Sequence, residues 1–123
     1  MIKGIGCDLI ELDRIAKVYN RHGVNFLKRI YTDSEVAYCL SHKNPIPALA
    51  ARFAAKEAAA KAFGTGIGTA FTWHDSFVYN NTEGKPLLLF SEKCQNYFGK
   101  HIVHLSLSHS HSHAMAMVIL ETT

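Results

Sequence analysis

The period of apolar and polar positions changes several times along the chain, and each change marks an element. Ile2 to Ile10 alternates loosely between glycine and apolar residues, which predicts a buried strand. Leu12, Ile15, Ala16 and Tyr19 then recur at helical spacing, predicting a helix over about Glu11 to Asn20 that Gly23 ends. Phe26 to Tyr31 is a short mixed segment. Thr32-Asp33-Ser34-Glu35 has the capping-box pattern, and a helix is expected from there to about Ser41. His42 to Pro45 is a polar loop. Phe71, Trp73, Phe77 and Tyr79 suit a sheet, so a strand is predicted over Ala70 to Tyr79. Asn80 to Gly84 is a turn, and Lys85 to Phe90 is the returning strand, with Pro86 at its start or edge. Ser91 caps a short helix that Gly99 stops. His101 to Ser108 alternates as a half-buried strand, and Ala114 to Leu120 reads as a last, apolar one.

The chain is organised around Ile46 to Phe63. This segment is mostly alanine, the best helix former, with Pro45 and Pro47 at its first turn and Gly64 at its end. A helix so rich in alanine lets neighbours approach its backbone. Arg52, Lys56, Glu57 and Lys61 are expected to stand out from it. At about 100° per residue, Glu57 and Lys61 share one face, and Arg52 and Lys56 share another. Arg52 and Lys61 lie about 180° apart. The element order predicts one α+β domain over 1–123, a mainly antiparallel sheet packed on the central helix.

Composition narrows the classes. With 48% apolar residues in 123, disorder is excluded and one modest core is expected. A net charge of +3 permits an anionic ligand or an acidic partner without demanding nucleic acid. Cys7, Cys39 and Cys94 form no CxxC, so reduced thiols and a cytoplasmic location are expected. No apolar run approaches a membrane span, and the first residues lack a signal-peptide h-region, so neither membrane nor secretion is expected.

Several residues carry candidate chemistry. Asp8 interrupts an apolar strand, where a carboxylate is costly unless paired. It reads equally as a helix cap, a role Asp13 also fits. Glu57–Lys61 reads as a surface ion pair or as a carboxylate and an ammonium aimed into a cleft. Gly64-Thr65-Gly66-Ile67-Gly68 can bring backbone N–H groups to an anion, yet it is neither a Walker A loop nor GxGxxG before a helix. Arg14, Lys17 and Arg21 form a basic stripe, either a solvated face or a dock for an acidic protein. His109, His111 and His113 alternate with serine, but a single tight run in a turn scatters the rings, which argues against zinc. His109 suits a loop contact to an anion.

Taken together these pieces resemble a known family. Gly4-Ile5-Gly6-Cys7-Asp8-Leu9-Ile10-Glu11 stands at the N-terminus, and Phe26, Arg29, Thr32 and Glu35 fit F-x-x-R-x-x-T-x-x-E. Arg52-Phe53-Ala54-Ala55-Lys56-Glu57-Ala58-Ala59-Ala60-Lys61-Ala62, Gly64-Thr65-Gly66-Ile67, Gly84-Lys85-Pro86 and Leu105-Ser106-Leu107-Ser108-His109 follow. The set resembles holo-(acyl-carrier-protein) synthases, the small 4′-phosphopantetheinyl transferases, over nearly the whole chain. The resemblance implies that fold and the transfer of 4′-phosphopantetheine from coenzyme A to a serine of apo-acyl carrier protein. It implies Mg²⁺ on Asp8 and Glu57, with Lys61 on the diphosphate and Gly64, Thr65 and Gly66 at the nucleotide. Arg52 and His109 become candidates for the 3′-phosphate, with Lys85, Pro86 and Ser108 in the same site. Arg14, Lys17 and Arg21 would meet the carrier's acidic helix. The acceptor of the serine proton stays open between Glu57 and a metal-bound water. The opposed positions of Arg52 and Lys61, with the family's trimers, imply a homotrimer with sites between subunits. One departure stands out: the family often has Asp-Ile-Glu after the tryptophan, where this chain has Asp75-Ser76-Phe77, which puts the local packing in question. Two other readings compete. A non-catalytic coenzyme A or nucleotide-binding module needs no Asp8–Glu57 pair, and a zinc- or RNA-binding protein would rest on the histidine run and the basic stripe.

Overall fold

The first and last strands pair with each other. In the computed structural model, which describes all 123 residues, β1 (Ile2–Glu11) lies antiparallel to β5 (His113–Thr122). On its other edge β5 pairs antiparallel with β4 (His101–His109), giving the order β1-β5-β4. A separate antiparallel hairpin is made of β2 (Ser76–Asn80) and β3 (Pro86–Phe90). The helices are α1 (Leu12–His22), α2 (Val24–Ile30), α3 (Asp33–Leu40), α4 (Ile46–Ala62) and α5 (Glu92–Phe98). The expected α+β class holds, with two sheets rather than one. No helix is long and apolar enough to cross a membrane.

Three boundaries differ from the sequence reading, each for a local reason. The segment around Phe26 is a helix, because Phe26, Leu27 and Ile30 all reach the core, though seven residues are too few to show a period. The strand expected from Ala70 begins only at Ser76. Asp75 accepts hydrogen bonds from Thr72 N (2.7 Å) and Thr72 Oγ1 (2.9 Å), which winds Trp73–Asp75 into one 3-10 turn. Neither Asp8 nor Asp13 caps α1. Its N-cap is Glu11, without a side-chain bond, while Asp13 pairs with Lys17.

Helix α4 lies across the three-stranded sheet and meets both β1 and β5 along its length. Ala50, Ala54, Ala55, Ala58, Ala59 and Ala60 are fully buried along it. The strand comes so close that a Cβ on Gly6 would lie 2.0 Å from the Ala58 carbonyl oxygen, and one on Gly4 2.0 Å from that of Ala62. Ala114, Ala116, Val118 and Leu120 of β5 fill the helix-facing side of the sheet. The opposite side carries Ile5, Leu9, Ile102, Met115 and Met117, all exposed. At the far end of α4, Phe63 stacks on Phe98 and meets Phe71, Phe90 and, at the start of β4, His101, joining the hairpin to the main sheet.

Two of the four charges expected to stand out from α4 do not. Arg52 is 3% exposed and Lys56 is sealed. Lys56 Nζ pairs with Glu35 Oε1 at 2.8 Å and donates to the carbonyls of Trp73 (2.9 Å) and Ser76. Glu35, equally buried, closes the capping box with Thr32 and accepts from Val78 N at 2.9 Å through Oε2. One ion pair therefore ties α3, α4, the 3-10 turn and β2. Burial pushes the Lys56 ammonium down from its ordinary value, and the Glu35 carboxylate opposes the shift. Beside it lies the flaw the Asp75-Ser76-Phe77 departure pointed to: Ser76 Oγ is sealed from solvent without a partner.

Two substitutions test this frame by urea unfolding. Gly6→Ala should cost about 3 kcal/mol or more, since a backbone carbonyl must move to admit the methyl, while Gly68→Ala, with open space around it, should stay within about 0.5 kcal/mol. Lys56→Met should cost about 3–5 kcal/mol by stranding the Glu35 carboxylate, and adding Glu35→Gln should recover at least half of the loss. A Lys56→Met protein of near-normal stability would show that the pair is dispensable.

Candidate active site

Asp8 lies on the helix-facing side of β1, opposite Ala116. The close packing of β1 on α4 brings it to Lys61, in the last turn of the helix. Lys61 Nζ donates to Asp8 Oδ1 (3.1 Å) and to the Cys7 carbonyl (3.0 Å). The ammonium thus goes to Asp8 rather than to its helical neighbour Glu57. The Asp8 side chain is 17% exposed and that of Lys61 51%, so the pair opens to solvent. Glu57 shares their surroundings. Its carboxyl is held above the usual carboxylate range, first by burial and then by the charge of Asp8, with Lys61 and Arg14 pulling it back. Three predicted residues, Asp8, Arg14 and Lys61, therefore act on a fourth, Glu57, in the C-terminal half of α4.

Two neighbouring carboxylates with an adjoining ammonium suit a hard cation that completes its shell with water and phosphate oxygens, the habit of Mg²⁺. No third His, Cys, Asp or Glu joins a metal-holding group, so the donor set fits Mg²⁺ and not a closed zinc site.

The glycine loop follows Lys61 but is not a cradle of free N–H groups. Gly64 N donates to Lys61 O (2.9 Å), while Thr65 N (3.1 Å) and Gly66 N (3.2 Å) donate to Ala60 O. These bonds close the C-terminus of α4, and Gly64 and Gly66 supply the positive φ that the closure needs. What the loop offers is open space, because a Cβ at Gly64 or Gly66 would meet nothing within 4 Å.

The opposite side of α4 borders a second site. Arg52, Ala48, Asn80, Pro86, Leu107 and His109 are among the residues around a cavity of about 360 Å³. The Arg52 guanidinium forms no ion pair. Its Nη2 donates to Asn80 Oδ1 at 2.6 Å and its Cζ lies 4.1 Å from the centre of the Tyr38 ring. Nε is sealed without a partner, and Nη1 makes no protein hydrogen bond but retains solvent access. A buried cation with no counter-charge is costly unless a ligand supplies one.

The remaining predicted residues scatter around these two centres. Lys85 and Pro86 border a cleft of about 410 Å³ between β3 and β4, and Pro86 also faces the Arg52 cavity. Ser108 and His109 end β4, with His113 across the turn. Lys17 and Arg21 lie together on the exposed end of α1. The buried thiols of Cys39 and Cys94 are pushed up to about 11 by desolvation, which makes them poor nucleophiles. Sequence reasoning missed Tyr38 and Asn80, since neither belongs to a charged or glycine-rich pattern.

Known proteins resemble the chain in sequence and in fold. Residues 4–118 match the 4′-phosphopantetheinyl transferase superfamily. A holo-(acyl-carrier-protein) synthase of Koribacter versatilis is 47% identical, over 98% of this chain and 99% of its own. The holo-(acyl-carrier-protein) synthase from Bacillus anthracis, solved in complex with CoA (3′,5′-ADP), is 44% identical with a TM-score of 0.87, covering 100% of this chain and 99% of that one. The Helicobacter pylori enzyme, solved in complex with coenzyme A, is 32% identical with a TM-score of 0.88, over 95% and 99% of the two chains. Matched along nearly its whole length in sequence and in fold, the chain belongs to the holo-(acyl-carrier-protein) synthase family of 4′-phosphopantetheinyl transferases.

Proposed function

We propose that this protein transfers 4′-phosphopantetheine from coenzyme A to a serine of apo-acyl carrier protein in the cytoplasm, serving fatty acid biosynthesis. The observation that carries the reading is the division of charge across α4, with two carboxylates and Lys61 on one side and an unpaired, buried Arg52 on the other. A module that only binds coenzyme A has use for the second group and none for the first.

In this reading Asp8 and Glu57 hold Mg²⁺, which when bound neutralises charge on the coenzyme A diphosphate. Lys61, partly exposed beside Asp8, holds the same diphosphate. The open faces of Gly64, Thr65 and Gly66 admit the nucleotide. Arg52 and His109 take the 3′-phosphate, with Lys85, Pro86 and Ser108 alongside. The serine oxygen attacks the phosphorus that bears pantetheine, the bond to the bridging oxygen breaks, and adenosine 3′,5′-bisphosphate leaves. The serine proton passes to a base beside the carboxylate pair, where Glu57 is this chain's own candidate. Arg14 stands close enough to Glu57 to affect its carboxyl, so a carrier docked on Arg14, Lys17 and Arg21 delivers its serine beside that group.

The two halves face away from each other across one helix about 10 Å wide, so one coenzyme A reaches both only between neighbouring subunits. We propose a homotrimer, a closed head-to-tail ring with three shared sites. The exposed apolar side of the main sheet supports such an assembly, since exposed apolar patches of this kind mark interaction surfaces.

The direct test is mass analysis of apo-acyl carrier protein after incubation with the protein, coenzyme A and Mg²⁺. The carrier should gain one phosphopantetheine, and no gain would end the proposal. Asp8→Asn and Glu57→Gln should each lower turnover by about a hundredfold or more with the fold intact. Glu57→Gln should also raise the melting temperature of metal-free protein at neutral pH. A folded-state pKa above the unfolded one contributes stability at pH below the unfolded value and loses it as pH rises through the folded value. The amide removes the penalty that burial, and after it the Asp8 charge, places on the ionised carboxyl, so a lower melting temperature would contradict that penalty. For the shared site, inactive Glu57→Gln and inactive Arg52→Ala subunits should regain activity when co-assembled. Mixed trimers without activity would rule out sites between subunits.

A further inference from the structure

Asn80, the last residue of β2, sits where the Arg52 cavity meets the turn before β3. Its Oδ1 accepts from Arg52 Nη2 at 2.6 Å, and its Nδ2 donates to the Gly84 carbonyl at 3.0 Å. A guanidinium only donates and a carbonyl only accepts, so the two partners fix which way the carboxamide points. One side chain thus ties α4 to the Gly84-Lys85-Pro86 turn. The guanidinium is held on its flat side as well, by the Tyr38 ring at 4.1 Å, which His42 meets edge-on with centroids 4.9 Å apart. Nη1 is left with solvent access and no partner.

The chemistry of this clamp is informative. Proteins usually hold a buried arginine with a carboxylate, which pairs its fork and neutralises it. Here the holder is a neutral amide, so Arg52 is fixed in place while its whole charge remains uncompensated. No carboxylate lies within 4.0 Å of it. That arrangement suits a ligand carrying two negative charges on a compact group, and it wastes binding on a neutral one.

We infer that Asn80 is a positioning residue that sets selectivity for a 3′-phosphorylated nucleotide, by aiming Arg52 without neutralising it. The inference rests on the reading of Arg52 as the 3′-phosphate group given above. It adds a residue outside the charged and glycine-rich motifs and predicts a discrimination between substrates rather than a general loss.

The experiment compares coenzyme A with 3′-dephospho-coenzyme A as substrates, and adenosine 3′,5′-bisphosphate with adenosine 5′-monophosphate as ligands in calorimetry. Wild type should prefer the 3′-phosphorylated member of each pair. Asn80→Asp is isosteric but places a carboxylate on the guanidinium. It should lower kcat/KM for coenzyme A about tenfold or more, chiefly through KM, and weaken the bisphosphate to match, while 3′-dephospho-coenzyme A and the monophosphate change by less than about twofold. Asn80→Ser keeps a small neutral acceptor and should retain most of the preference, which a simple packing role does not predict. It also carries the comparison if the aspartate variant fails to fold: a serine variant that loses both substrates equally overturns the inference. An Asn80→Asp protein that loses both substrates equally, or neither, overturns it too. A different result exposes the reading beneath: if wild type shows no preference and Arg52→Ala alters none, Arg52 is not the 3′-phosphate group, whatever Asn80 does.

Discussion

The structure depends on how closely β1 approaches α4. Gly4 and Gly6 lie against the carbonyls of Ala62 and Ala58 at distances that leave no room for a Cβ. Close backbone packing of this kind has little side-chain volume to interlock, so its stability comes from the exclusion of water over a long, flat contact. It also fixes geometry. Asp8 is two residues beyond Gly6 on the same side of the strand, and Lys61 is one residue before Ala62. Once the glycines seat on the helix, the Asp8 carboxylate can only arrive beside Lys61 and Glu57. The candidate catalytic group is a consequence of the packing.

Helix α4 carries its charges in three different ways, and each has a different energetic meaning. Lys56 is buried and compensated by Glu35, so it stabilises the frame as long as both partners remain. Glu57 is half-buried beside Asp8, so burial and then the Asp8 charge hold its carboxyl above the usual range, a cost that a bound cation would relieve. Arg52 is buried and uncompensated, a cost that an anionic ligand would offset. Compensated charge builds the fold here, and in the proposed reading uncompensated charge of either sign marks where a ligand belongs.

Much of this was legible in the sequence. The capping box at Thr32–Glu35, the alanine helix with its proline start, the turn at Asn80–Gly84 and the α+β order all appear where residue chemistry puts them, because each rests on contacts within a few residues. The opposed placement of Arg52 and Lys61 followed from helix geometry alone. What could not be read was the burial of Lys56 and Arg52. A lysine four residues from an arginine looks like a solvated stripe until Glu35 and Asn80, at sequence separations of 21 and 28, arrive from other elements. The loop at Gly64–Gly68 failed for a related reason. Glycines that free a backbone for phosphate look the same as glycines that free it to close a helix, and only the hydrogen bonds to Ala60 and Lys61 tell them apart.

A site divided by its own scaffold helix has a further property. In the proposed reading one half would hold the metal and the other an anion, and a single subunit would not align the two. If sites form between copies, catalytic competence becomes a property of assembly, and the exposed sheet face carrying Ile5, Leu9, Met115 and Met117 acquires a catalytic consequence without touching substrate. Asp8 lies between Cys7 and Leu9 on β1, whose side chains point to that outer face while its own points to α4. The strand that presents the carboxylate on one side thus presents the apolar surface on the other. The contact of Gly4 and Gly6 with the helix leaves β1 little room to shift, so an interface on its outer face would meet an Asp8 already held in place.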